Sequence, residues 1–222
     1  MKQISILAFL ALFLFSCTDR GIEDSKGKLR LINASYLTGD INLYIEYDPV
    51  FSSNVQFLNY SLFREFIAGT RKLQIKNASG TMIVDTSITI EENKTYSAFL
   101  YDSAGTVKYK LLNELFFSPG GSNCKVRFLH LSNDAPAVNA IQQFDTTFRF
   151  ENFTNGMHSE YTPMATGLHQ FHVNTVSGNN TIYTNQFEYE AGYLYTMYLK
   201  GNVSSQGIDS LGIFIITDSG NY

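Results

Sequence analysis

The residues with the most chemical reach in this 222-residue chain are four histidines, two cysteines and 20 acids. His130, His158, His169 and His172 all fall in the second half. His169-x-x-His172 has a spacing used in metal sites. Both residues lie in a run that alternates apolar and polar types, and on a strand residues three apart face opposite ways. His130 lies in another such run, so the histidines read as isolated residues on strand edges. Paired carboxylates would serve glycoside hydrolysis. Glu46 and Asp48 sit near one strand end, and Glu91-Glu92 sit at a turn, where acids are usually solvated. Asp40, Glu46 and Asp48 do not form the D-x-D/N-x-D/N-G loop of calcium sites. H-E-x-x-H, C-x-x-C, Walker A and G-x-S-x-G patterns are absent. No catalytic residue, no metal, no cofactor and no enzyme activity are expected.

Aromatic residues are the remaining candidates for recognition. The chain has 18 Phe, 14 Tyr and no Trp. They crowd two stretches, Tyr44 to Phe66 and Phe144 to Tyr161. Phe and Tyr suit strands and cores, so most belong to packing. Tyr47, Phe51 and Phe144 are candidate ligand-binding residues, able to stack on a sugar ring or offer an apolar patch to a protein. Charged residues are 16 % of the chain, with 16 basic against 20 acidic and a formal charge of −4. That balance excludes the basic footprint of a nucleic-acid binder.

The elements that would carry these residues begin with a leader. Lys2 precedes an apolar run, Ile4 to Phe15, broken only by Ser5. Twelve helical residues rise about 18 Å, short of a ~30 Å hydrocarbon core, so the run suits an export signal rather than a span. Leu14-Phe15-Ser16-Cys17 resembles a bacterial lipobox. The resemblance implies cleavage before Cys17 and acylation there, hence a cell-envelope protein lipid-anchored to the outer membrane, at its surface or periplasmic face. Cys124 is then left without a disulfide partner.

Behind the leader the sequence repeats itself. Lys28-Leu29-Arg30-Leu31-Ile32-Asn33-Ala34-Ser35 aligns with Lys125-Val126-Arg127-Phe128-Leu129-His130-Leu131-Ser132. Phe57-Leu58-Asn59-Tyr60 aligns with Phe150-Glu151-Asn152-Phe153, Gly69 with Gly167, Ser79-Gly80 with Ser177-Gly178, and Thr95-Tyr96-Ser97-Ala98 with Leu194-Tyr195-Thr196-Met197. The expected organisation is a signal peptide 1–16, a lipidated tether 17–27, a first repeat 28–115, a Pro/Gly/Ser linker 116–123 and a second repeat 124–222.

Each copy reads as strands. Lys28 to Ser35 alternates as a half-buried strand, and so does Ile41 to Tyr47. Met82 to Ile90 is β-branched, and Tyr193 to Leu199 and Ile213 to Thr217 are late strands. The fold class expected is all-β: two tandem antiparallel β-sandwiches of immunoglobulin-like or transthyretin-like architecture. Seven N-x-S/T triplets fit strand and turn composition.

Within this frame, Val126-Arg127-Phe128-Leu129-His130-Leu131-Ser132 followed by Asn133-Asp134-Ala135-Pro136-Ala137-Val138-Asn139 resembles the signature of the "domain of unknown function 4397" family. Gly167 to Val173 and Gly192-Tyr193-Leu194-Tyr195-Thr196 resemble its later strands. The second copy carries the resemblance clearly, whereas the first has Tyr36-Leu37-Thr38-Gly39-Asp40 in place of the Asp-Ala-Pro turn. The resemblance implies an exported, often lipid-anchored surface or adhesion protein and supplies no catalytic residues. The expected function is a membrane-anchored, non-enzymatic binding module for a protein or glycan. The alternatives are a structural subunit or spacer of an envelope or fimbria-like assembly, and an accessory glycan-binding or hydrolase component.

Overall fold

Alternating and β-branched runs become strands throughout. The computed structural model describes residues 25–114, 119–145 and 147–218, and every regular element among them is a β-strand. The first half holds β1 (Lys26–Ala34), β2 (Ile41–Ile45), β3 (Asp48–Pro49), β4 (Asn59–Tyr60), β5 (Arg64–Ile67), β6 (Gly69–Asn77), β7 (Met82–Ile90), β8 (Thr95–Ser103) and β9 (Thr106–Glu114). The second holds β10 (Asn123–His130), β11 (Val138–Gln142), β12 (Arg149–Phe153), β13 (Thr162–Ala165), β14 (Gly167–Thr175), β15 (Thr181–Tyr189), β16 (Leu194–Lys200) and β17 (Gly212–Asp218).

These strands build four sheets. The first has the order β4-β1-β8-β9, with β5 also on β1, and the second has β3-β2-β6-β7. The third, β13-β10-β16-β17, and the fourth, β12-β11-β14-β15, repeat the plan. Pairing is antiparallel except for one pair in each half, since β1 runs parallel to β8 and β10 parallel to β16.

Leu29, Leu31, Leu43, Leu73, Ile75 and Leu100 fill the space between the first and second sheets. Val126, Phe128, Phe150, Phe171, Val173 and Met197 do so between the third and fourth. A further core joins the first sheet to the third. Ile32, Phe99, Leu112, Leu129, Tyr198 and Ile216 meet there, with Phe99 edge-on to Tyr198 at 6.1 Å. The layers therefore stack in the order second, first, third, fourth. Each such side chain, fully buried, contributes about 1.5–3 kcal/mol relative to exposure.

The joining core corrects the sequence-based expectation for β1. Its alternation predicts one wet face, yet Arg30 is 2 % exposed, because that face lies against the other half. Two further corrections concern chain path. The strand expected over Ile41 to Tyr47 ends at Ile45, where Glu46 and Tyr47 take φ of 49° and 73° and turn the chain into β3. The match of Asn59-Tyr60 with Asn152-Phe153 also fails. Ile32 pairs with Tyr60, while its counterpart Leu129 bridges to His158. Val138 pairs with Phe153, as Ile41 does with Val55. Phe153 thus stands where Val55 stands, and His158 where Tyr60 stands.

Candidate functional site

The expected anchor, Cys17, lies outside the described residues. Tyr47 and Phe144 stand at one structural place in the two halves. Ile45 pairs with Leu73 and Gln142 with Phe171, and each aromatic follows two residues later. Backbone bonds from Glu46 N to Lys72 O (3.0 Å) and from Gln143 N to Gln170 O (2.7 Å) fix the two bends alike. Both rings point to solvent, Tyr47 at 67 % and Phe144 at 80 % exposure. They sit on the outermost sheets, about three spacings of ~10 Å apart, so one small ligand does not span them. Phe51 differs, because it packs against the first core. It borders a groove of about 280 Å³ with Tyr60 and Leu62.

The histidines are not gathered. His130 is fully buried on β10, and His169 and His172 lie on β14, both internal strands of their sheets, which corrects the edge placement. Its Nε2 lies 3.0 Å from Pro136 O and donates to it. Burial holds the imidazole below its ordinary value, in the neutral form. His169 meets Gln142 and Ala165 O, while His172 meets Thr184. Among the described residues no three His, Cys, Asp or Glu side chains are grouped to hold a metal. Cys124 is buried, its thiol 3.4 Å from Met164 O, and burial pushes it up to about 11, far from a ready thiolate. Of the acids, Glu46 accepts from Lys72 N, and Asp48 is exposed on β3.

Sequence reasoning missed a buried charge network between the halves. Arg30 donates from Nε to Ser97 Oγ (2.7 Å) and from both terminal nitrogens to Asp218 of the other half (2.7 and 3.0 Å). Arg127 repeats the arrangement crosswise. Its Nε meets Thr196 Oγ1 (2.9 Å) and its Nη2 meets Glu114 Oε1 (2.6 Å). Phe63 lies under Arg30 at 4.6 Å, and Tyr161 under Arg127 at 4.7 Å. Burial alone would push the Glu114 carboxyl up, but Arg127 and Arg30 together hold it below the usual carboxylate range. In the sequence the network shows only as an arginine repeated at one register of the first strand of each copy, on the face that alternation marks as wet.

The same crosswise contacts show that β1 and β10 run the same way. Asp218 is the register partner of Leu194 and Glu114 that of Thr95, both at strand starts. The opposite end of the stack is therefore built from loops of both halves. Asn133 is its centre. Its Nδ2 donates to Asn202 Oδ1 (2.8 Å), and its Oδ1 and O accept from Gly105 N (2.7 Å) and Ala104 N (3.1 Å). Tyr36 Oη donates to Asn202 Oδ1 (3.2 Å), and Asn155 Nδ2 donates to Asp102 O and Ser132 O. Asp134 Oδ1 accepts from Val203 N, which ties the Asp-Ala-Pro turn to the β16–β17 loop. Asp102 is buried beneath, bonded to Ser35 Oγ and Tyr36 N, and burial raises its carboxyl. On this braced surface Leu37, Val203 and Ile208 are exposed, Ile208 at 67 %.

Several solved structures are similar at low identity, each with a TM-score below 0.5. The C-terminal domain of AlgF from P. aeruginosa is 15 % identical over 40 % of this chain and 99 % of its own, with a TM-score of 0.31. The Bacillus anthracis TIE protein is 11 % identical over 79 % of this chain and 34 % of its own, with a TM-score of 0.26. A family CBM26 module from Eubacterium rectale Amy13K, solved with maltoheptaose, is 8 % identical over 85 % and 96 %, with a TM-score of 0.27. No curated protein matches. The model of the family described as "Domain of unknown function (DUF4397)" matches residues 27–141. It runs from the second residue of β1 through β9 and reaches into β11, so the first copy, residues 28–115, whose turn departs from the signature, lies wholly inside the match. The chain belongs to the DUF4397 family.

Proposed function

We propose that this protein is a non-enzymatic, lipid-anchored binding module of the bacterial envelope, tethered through Cys17 and meeting a protein or glycan partner with the loops at the far end. The observation that carries the reading is the position and construction of that surface. The described chain enters at Ser25 beside the starts of β1 and β8, and the loops of both halves are locked together at the opposite end. A tether at one end leaves the other facing outward. Exposed Leu37, Val203 and Ile208 on a hydrogen-bonded base resemble a recognition patch more than a solvated loop tip. Tyr47 and Phe144, at the sides, are secondary candidates.

Two measurements test the reading. Cys17→Ala is expected to leave the membrane fraction, and a variant that still pellets after a carbonate wash overturns the anchor. The full chain in detergent is expected to bind within a screen of glycans and extracellular-matrix proteins, and to lose that binding on Leu37→Ser with Ile208→Ser. A screen without hits overturns the binding module. It would favour the structural-subunit reading, which rests on the outer edges of β7, β9, β15 and β17, each the last strand of its sheet and open to strand addition.

A further inference from the structure

The two halves meet along matched grooves that differ in what fills them. One lies between β9 and residues 158–161, lined by Lys110, Arg127, His158, Ser159, Tyr161 and one carboxylate, Glu160, with a volume of about 350 Å³. The crosswise arrangement defines its counterpart. Glu114 and Asp218 are equivalent register positions, which sets Phe214 in the place of Lys110. Tyr60 stands in the place of His158, and Arg30 in that of Arg127. There the space holds aromatic rings. Tyr60 lies 5.6 Å from the Arg30 guanidinium, and Phe214 lies 5.4 Å from Tyr198.

The arginines differ in the same sense. Arg30 uses all three guanidinium nitrogens, on Ser97 and Asp218. Arg127 uses Nε and Nη2, on Thr196 and Glu114, and its Nη1 has no hydrogen-bond partner among the described residues. Arg127 is 3 % exposed, so this nitrogen belongs to a buried cation on the groove wall. Lys110, half-buried on the facing strand, makes no ion pair among the described residues.

We propose that this groove binds an oxyanion, a carboxylate, sulfate or phosphate group carried on a small polar molecule, with Arg127 Nη1 and Lys110 as its cationic partners and His158 at its rim. A desolvated guanidinium and an ammonium on one concave surface are what charge-assisted recognition of an anion requires. The volume lies at the lower end of small-molecule sites. Local electrostatics agree. Burial first, then the charges of Lys110 and Arg127, push the His158 imidazole below its ordinary value, and Glu160 opposes them only in part. Burial likewise pulls Lys110 below the lysine value.

The test is an NMR titration of the full chain in detergent with glucuronate, sulfate and inorganic phosphate, and with glucose as the neutral control. The anions are expected to shift the amides of Lys110 to Asn113 and His158 to Tyr161, and to raise the His158 pKa, because a bound anion favours the imidazolium. Glucose is expected to do neither. Binding should weaken with salt. Lys110→Met is expected to weaken it at least about tenfold. Lys110→Phe with His158→Tyr, which copies the other half, is expected to abolish it. Binding of glucuronate alone assigns the group to a sugar acid, and binding of phosphate alone to a phosphorylated ligand. The proposal is overturned if the shifts scatter over surface lysines, if the His158 pKa does not rise, or if Lys110→Met binds as the wild type does.

Discussion

At one matched place in the two halves, Asn33 and His130 do the same work with different chemistry. Asn33 Nδ2 donates to Gly39 O at 2.8 Å, and His130 Nε2 donates to Pro136 O at 3.0 Å. Each pins the loop that follows the first strand. The asparagine also bonds Val55 O and accepts from Ser35 N, and it carries no charge at any pH. The histidine fills more space but brings a titratable ring into a buried position. Gly27 and Cys124 form a second such pair. A side chain at Gly27 would meet Glu91 O and Ile90 at 2.6 Å, whereas Cys124 has room for its thiol against Met164. Backbone hydrogen bonds and the cross-half ion pairs are kept in both halves, while the residues that fill space around them vary. The comparison separates what the fold needs from what each half has added.

The largest expected effect comes from breaking what the halves share. Glu114 serves Arg127 directly, lies 3.5 Å from Arg30 and accepts from Tyr161 Oη. Glu114→Ala leaves buried guanidinium charge uncompensated and is expected to cost about 3–5 kcal/mol. Asp218→Ala strips only Arg30 and should cost less. Urea denaturation of both variants checks the order. If the two are equal, the network is not centred on Glu114. Replacing Arg127 and Glu114 together by Met and Leu is expected to recover much of the loss, since a packed apolar pair avoids desolvating two charges.

How much of this was legible follows from the periods involved. Met82 to Ile90 is β7 as expected, because β-branched residues and a Gly80 turn define it locally. The all-β sandwich followed from many such runs. The Glu46-Tyr47 bend was hidden, since two non-glycine residues with positive φ carry no turn signature. The joining core was hidden for a deeper reason. Ile32, Phe99, Leu129 and Tyr198 share their strand faces with Arg30, Ser97, Arg127 and Thr196, so polar residues mark those faces as wet. Their partners lie up to 188 positions away, as Arg30 and Asp218 do, and no local pattern announces them. Tyr47 and Phe144 stand out in the sequence as candidate ligand-binding aromatics, but their equivalence appears only from strand register.

A medium effect should distinguish the two loop staples. His130→Asn copies the first half and is expected to cost about 1 kcal/mol at neutral pH, through a smaller side chain and one remade hydrogen bond. The pH dependence is the sharper readout. The buried imidazole titrates below its unfolded value, so the unfolded chain binds more protons as the solution is acidified. His130 therefore contributes stability that is complete above the ordinary imidazole value and is lost as pH falls through the folded one. Denaturation midpoints between roughly pH 5 and 8 should fall on acidification in the wild type and less steeply in His130→Asn. His158, also held low, supplies part of the slope that remains. An unchanged slope would mean that His130 already reaches water when folded.

The smallest effect is expected at the matched aromatics, and its smallness is the point. Tyr47 and Phe144 are mostly exposed, so Tyr47→Ser and Phe144→Ser remove little buried area and should change stability by no more than about 0.5 kcal/mol. Each half nevertheless keeps a large ring at the same bend, where a polar residue would be free to replace it. If these rings serve recognition, the two substitutions lower binding without moving the denaturation midpoint. Their effects should then add, because two intervening sheets separate them. If both substitutions leave binding unchanged, recognition belongs to the braced end loops around Asn133 alone, and the paired aromatics are a coincidence of register.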